Sequence, residues 1–147
     1  ADWAEANADI LACGSKADTF SFDAYVRRSR DGLGTFDLTD FSSEYQFCAY
    51  NEGQGVDELI SVIDDFEDWL VSDENSLDSP YTYVVLAPDY ETEEFDLAWG
   101  NFHQSKEMRE AGLANFLDTA PEIQEAFDKV LSCQEPNGFN SGQIPLI

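Results

Sequence analysis

Positive charge is what this sequence has least of. Seven Lys and Arg stand against 31 Asp and Glu in 147 residues, a formal net charge of -24 with a pI near 4.1. Nucleic acids and anionic membranes are bound by neutralising phosphates with Lys and Arg, so this balance excludes direct binding to either. Histidine is scarce too. His103 is the single one, so a Ser-His or Cys-His catalytic pair would have to use it, and no nucleophile sits in a G-x-S-x-G elbow. A lone His of this kind is expected as a surface or capping residue. Gly32-Leu33-Gly34 lacks the remaining glycine of a dinucleotide loop and no G-K-[ST] occurs, which removes the familiar phosphate cradles. No apolar run approaches the ~20 residues that cross a bilayer, and Ala1-Asp2-Trp3-Ala4-Glu5 has neither the basic nor the apolar region of a signal peptide.

Cysteine is sparse and odd in number. Cys13, Cys48 and Cys133 have none of the close spacings of a zinc or redox motif, so they are expected as buried thiols, reduced in a cytoplasmic protein. A secreted protein would instead bridge one pair and leave the third free, with three pairings open. The cytoplasm is the expected compartment; the periplasm or the exterior is the alternative if Ala1 follows a removed signal peptide. Asp73, Asn75 and Asp78 cluster in a polar stretch, yet the Gly at the sixth position and the Glu at the twelfth of a calcium loop are missing. With 31 acids some carboxylate pair falls within reach by chance, so spacing selects no glycosidase pair. The chain is therefore expected to carry no catalytic residue, no metal and no cofactor.

What is present is enough to fold. Hydrophobic residues make up 43% and aromatic residues 14% of the chain, with eleven Phe, six Tyr and three Trp, which argues against disorder. Trp3 to Cys13 reads as a helix. Thr19–Arg28 and Thr35–Phe41 read as a hairpin around Asp31-Gly32-Leu33-Gly34, and Glu44–Tyr50 alternates as a third strand. Val56 to Val71 places Val56, Leu59, Ile60, Ile63, Phe66 and Leu70 on one helical face. Tyr81 to Ala87 is the continuous apolar run of an interior strand, and Thr92 to Trp99 alternates as the next strand, with Thr92, Glu94, Asp96 and Ala98 toward water. Ser105–Leu117 and Ala120–Leu131 form a helical hairpin, with Thr119 as N-cap and Pro121 near the first helical position. The pattern predicts an α+β fold, a mostly antiparallel sheet of about five strands packed with about four helices. Residues 1–133 make a single acidic domain, and 134–147 an extended tail anchored by Phe139, Ile144 and Leu146. Leu59, Ile63, Phe66, Tyr83, Val85, Phe95, Leu97 and Trp99 are expected to share one core.

The charge is unevenly placed. Residues 1–50 hold nine acids and four bases, 51–100 fifteen acids and no base, and 101–147 seven acids and three bases. On the helix from Val56, Asp57, Asp64 and Asp68 fall nearly in line opposite the apolar stripe, with Glu58 and Asp65 beside them. No base sits at i+4 to relieve them, and like charges so spaced cost a few tenths of a kcal/mol each. Asp89, Glu91, Glu93, Glu94 and Asp96 follow in the next turn and strand. If the two sets merge, they form a carboxylate surface matched to the Arg and Lys forks of a basic protein, such as a nuclease or another DNA-binding protein. In charge and size the chain resembles the acidic inhibitors that mimic DNA, found among phage proteins that block restriction, CRISPR or repair enzymes. The resemblance implies an anti-defence inhibitor and carries no specific residues. Two other readings compete: an immunity or inhibitor protein that plugs the basic active site of a toxin or hydrolase, and a salt-adapted acidic domain with no such partner. Arg27, Arg28 and Arg30, the one cationic island, either flank the Asp31-Gly32 turn of a monomer or meet the acidic face of a second copy in a homodimer.

Overall fold

Phe41–Tyr50 is the strand on which the sheet is built. In this computed structural model, which describes residues 21–25, 36–77 and 80–142, the elements run β1 (Phe22–Tyr25), β2 (Phe41–Tyr50), α1 (Val56–Leu70), β3 (Tyr81–Pro88), β4 (Leu97–His103), α2 (Lys106–Thr119), α3 (Pro121–Val130), β5 (Leu131–Cys133) and β6 (Asn137–Ser141). The sheet order is β1-β3-β4-β2-β5, with β6 pairing β2 alongside β5, and every pairing is antiparallel. From β2 to β5 this is the split-βαβ arrangement of a ferredoxin-like unit, in which α1 crosses from β2 to β3 and β4 inserts between them. The class is the α+β fold that the sequence predicts, with six strands and, among the described residues, three helices rather than about four. The helix expected at Trp3–Cys13 lies outside the described residues.

The helices cover one face of the sheet. Cys48 of β2, Tyr83 and Val85 of β3, and Leu97 and Trp99 of β4 are buried in one cluster with Leu59, Val62, Ile63, Phe66 and Trp69 of α1, Phe116 of α2 and Ile123 of α3. Phe66 is its centre, with ring centroids 5.4–6.5 Å from those of Trp69, Tyr81, Tyr83, Trp99, Phe116 and Phe127. The buried stripe of α1 is turned slightly from the expected one. Val56 and Ile60 are exposed while Val62 and Trp69 are buried, because the Trp69 ring packs on Phe66 and Phe116 and its Nε1 donates to Thr119 Oγ1 at 3.0 Å. That turn also buries Glu67, 2% exposed, whose Oε1 accepts from the Tyr83 hydroxyl. Thr119 is thus a partner of Trp69 and not an N-cap; Ala120 holds that position, with Pro121 opening α3.

The other face of the sheet is a run of half-buried aromatics. Phe102 contacts both Phe41 and Tyr45 there, Phe139 of β6 lies beside Tyr45, and Phe95 lies against Phe47 with ring centroids 4.6 Å apart. Phe95 therefore leaves the core cluster to which its spacing assigned it. The strand expected over Thr92 to Trp99 stops short of Gly100, yet Gly100 lies in the middle of β4. Opposite it in register, Tyr45 lays its ring so close that a Cβ on Gly100 would come within 2.9 Å of Cε1. The alternation read from Thr92 is also corrected. Residues 89–96 form a loop, β4 starts only at Leu97, and Ala98, expected to face water, is 3% exposed beneath those rings.

The two ends of the described chain join the sheet in unexpected ways. β1 pairs with β3, and residues 36–40 form no strand, so the hairpin read across 19–41 does not form among the described residues; its turn lies outside them. The segment expected as a tail is extended, and its residues 137–141 pair with β2, Ser43 Oγ meeting Ser141 Oγ at 2.6 Å. Cys48 and Cys133, directly opposite in register, form a disulfide in place of the expected buried thiols. Cys13 lies outside the described residues.

Two measurements check this packing. Phe66→Ala removes the ring that six others touch and is expected to lower unfolding free energy by about 3–5 kcal/mol in urea. Reducing the Cys48–Cys133 bridge opens a constraint across 85 residues and is expected to cost about 4 kcal/mol, read as a lowered urea midpoint with reductant. A mass increase of one reduced disulfide, seen only after reduction, confirms the bond.

Candidate functional site

Where β2 and β3 end, the acids gather. The registers Cys48↔Leu97 and Leu86↔Ala98 put the last residues of β2 and β3 beside the first residues of β4, so the connections 51–55 and 89–96 leave the sheet at the same end. The first is a tight turn in which Gln54 N donates to Asn51 O at 2.9 Å, and Gly53 takes φ 76°, a conformation that other residues rarely adopt. Asn51 also ties in α3: its Nδ2 donates to the carbonyls of Asp128 and Lys129, both at 3.0 Å, which closes the helix's C-terminus. The second connection is fixed by its own acids. Asp96 N donates to Cys48 O at 2.9 Å while Asp96 Oδ2 accepts from Tyr50 N at 2.7 Å, and Asp89 Oδ1 accepts from Ser21 Oγ. Tyr90 stacks edge-on against Phe22 at 6.2 Å.

These contacts sort the ten carboxylates read from the sequence. Asp89 and Asp96 fasten the loop, and Glu91, Glu93 and Glu94 stand exposed along it. Asp57 and Glu58 occupy the first turn of α1 at that same end, where the helix dipole favours negative charge. Asp64, Asp65 and Asp68 climb the helix away from the loop, about 10 to 16 Å beyond Asp57 along its axis. Asp64 and Asp68 also interact with other groups of the chain. The structure therefore puts Glu91, Glu93, Glu94, Asp57 and Glu58 at one end of the sheet, with Glu52 in the turn at the same end, and leaves the other helix acids apart. The bases among the described residues are Lys106, Arg109 and Lys129, of which Lys129 lies at this end and the other two at the opposite one.

Between the sheet and α2 lies a cavity that the sequence did not reveal. Its volume is about 1020 Å³, and Tyr81, Trp99, Trp69, Phe116 and Phe127 form its aromatic walls. Arg109 of α2 reaches back over the sheet, where Nη1 donates to Glu44 Oε2 at 2.7 Å with both side chains mostly covered. Gly138, opposite Glu44 in register, leaves room for it; a Cβ there would stand 2.8 Å from Nη1. Asn101 Oδ1 accepts from Tyr81 OH at 2.8 Å and Trp99 Nε1 at 2.9 Å, which holds two wall rings in place.

His103 completes the wall. It is 8% exposed, its ring 4.8 Å from that of Tyr81, and its buried Nδ1 has no hydrogen-bond partner among the described residues. Burial, and then the nearby Arg109 guanidinium, push its pKa from 6.5 down to about 4. It is therefore a buried, neutral residue and not the surface or capping residue expected. The register alone could have placed it: Leu97, Trp99, Asn101 and His103 alternate onto the helix-covered face once β4 is known to run through Gly100. In the connection after α1, Asn75 commits its amide to Leu70 O at 2.9 Å and to Asn115, so it serves to anchor the loop.

No family model matches the chain, and no curated protein or solved structure matches it, so its role has to be read from its own residues.

The pKa of His103 makes a pH prediction. Above pH 6.5 neither folded nor unfolded chain protonates it, and it contributes no slope. Between 6.5 and about 4 the unfolded chain takes the proton first, so lowering the pH over this window removes up to about 3 kcal/mol of stability. Urea unfolding at pH 7 and pH 4.5 should show that loss in the native protein, and His103→Gln should abolish that part of it. Equal pH profiles in the two proteins would mean that His103 is not held neutral.

Proposed function

We propose that this domain binds a basic protein through the carboxylates at the end of the sheet where α1 begins. The observation that carries the reading is the convergence of Glu91, Glu93 and Glu94 with Asp57 and Glu58 at one end, on a loop fastened at both sides by Asp89 and Asp96. A fastened loop presents its charges in one arrangement, so binding loses less conformational freedom than a floppy acidic segment would. Carboxylates at such a surface fit Arg and Lys forks, accelerate encounter with a cationic partner and make the association sensitive to salt.

The Cys48–Cys133 bridge favours one form of this reading. Disulfides persist in oxidising compartments, which suits an inhibitor or immunity protein acting on a basic toxin or hydrolase outside the cytoplasm better than a cytoplasmic mimic of DNA. No helix among the described residues is long and apolar enough to cross a membrane.

A capture experiment on extracts of the source cells tests the proposal. The native domain should retain a protein of high pI at about 0.1 M salt and release it at about 0.5 M, as expected for contacts made by exposed charges. Glu91→Gln, Glu93→Gln and Glu94→Gln combined should weaken capture by at least about tenfold and leave the thermal midpoint unchanged or slightly raised. Competition by duplex DNA would support the mimic form over the inhibitor form. A partner retained equally at both salt concentrations and by the triple variant would refute the acidic-end reading.

A further inference from the structure

We propose that the cavity between the sheet and α2 is a binding site for a small planar compound, neutral or cationic, that carries a carbonyl or ring-nitrogen acceptor. The site is independent of the acidic end. Its volume of about 1020 Å³ is at the upper end of the range of drug-sized ligand pockets, and its lining combines six aromatic side chains with aliphatic, polar and charged ones. Tyr81, Trp99 and Phe127 offer ring faces and edges to a flat molecule. The first two cannot turn freely, because Asn101 accepts from both. The wall is thus formed before any ligand arrives, which limits the ordering cost of binding.

The polar groups select the ligand's charge and its hydrogen-bonding edge. Among the described residues Arg109 is the one Lys or Arg in the lining, and its guanidinium is already engaged by Glu44 at 2.7 Å, so it offers little uncompensated charge to an anion. Glu110, Asp128 and Glu135 are exposed acids of the lining, in a chain of net charge -24, and they repel an anion further. A cation faces the opposite balance, with aromatic faces and carboxylates both favouring it. His103 supplies the directional contact. Its buried Nδ1 has no hydrogen-bond partner among the described residues, and the neutral ring carries one proton, so one of its nitrogens donates and the other accepts. A buried polar nitrogen without a partner is uncommon, and beside a cavity of this size it marks a place where the chain tolerates incomplete bonding for a purpose other than packing. Gly112 keeps α2 close over this ring, since a Cβ there would stand 3.3 Å from His103 Cε1.

Fluorescent probes of three charges test the site on the whole domain. Nile red, neutral with a carbonyl acceptor, and Nile blue, its planar cationic relative with a ring-nitrogen acceptor, should each bind saturably at one per chain with Kd at or below about 10 μM. Anilinonaphthalene sulfonate, similar in size and anionic, should bind at least about tenfold more weakly. Leu113 lines the cavity yet is 56% exposed, so Leu113→Trp should obstruct it without disturbing the core. That variant is expected to lose about tenfold in affinity for both dyes with an unchanged thermal midpoint. His103→Phe keeps the ring and removes the donor, and should weaken Nile red while sparing total dye capacity. The proposal is overturned by absent or non-saturable binding, by an anionic probe that binds as tightly as the others, or by affinities that neither substitution changes. The last result would place the dyes on the aromatic face of the sheet away from the helices.

Discussion

The antiparallel pairing of β2 with three other strands is the constraint on which the rest depends. β4 runs along one side of it, and β5 and β6 share the other side. Its side chains alternate, and each set has a separate task. Glu44 receives Arg109 and Cys48 bonds Cys133 on the helix-covered face; Tyr45 covers Gly100 and Phe47 meets Phe95 on the other. A slip of one residue would exchange the two sets and break all four contacts at once, so the register is strongly specified. Tyr50 and Asn51, just past this register, then hold Asp96 and the C-terminus of α3, which is how one strand sets the position of the acidic loop.

Charge sits on this frame in places where it costs little. Asp57 and Glu58 lie in the first turn of α1, where the helix dipole offsets their mutual repulsion. Asp89 and Asp96 accept hydrogen bonds that close a loop, and Glu44 is neutralised by Arg109. Glu67 is the exception: it lies deepest, where burial is costly, and accepts from Tyr83, whose ring also stacks on Trp99 at 4.9 Å. Glu91, Glu93 and Glu94 have no such local role and stand exposed on the loop at the end of the sheet where α1 begins, while Asp118, Glu122, Glu125 and Glu135 are exposed elsewhere on the surface.

Much of this was legible in the sequence, and the failures have physical causes. The α1 helix and the hairpin of α2 and α3 follow from three-four spacing and from Pro121, and β3 from its apolar run. β4 was misplaced because Glu93, Phe95 and Leu97 alternate as a strand would, whereas the hydrogen bonds of Asp96 end the loop only at Leu97, and an aromatic neighbour lets Gly100 lie inside a strand. β6 carries Asn137 and Gly138, weak strand formers, and pairs with β2 from far along the chain, which no local pattern encodes. Of the candidate site, the acids were visible by counting. Their division between loop, first turn and helix was not, since it depends on which ends of β2, β3 and β4 meet. The cavity was invisible, because Glu44, His103 and Arg109 come together only through the sheet register.

The central claim is that the acids serve recognition at one end of the sheet and do not adapt the whole surface to salt. The measurement that tests it most directly is urea unfolding across potassium chloride from about 0.1 M to about 2 M. Exposed charges are already largely screened at about 0.1 M, so a domain whose fold does not depend on high salt should be fully folded there and gain little more at 2 M. A domain that unfolds at low salt and gains most of its stability only at molar concentrations would contradict the account and identify the carboxylates as a halophilic surface.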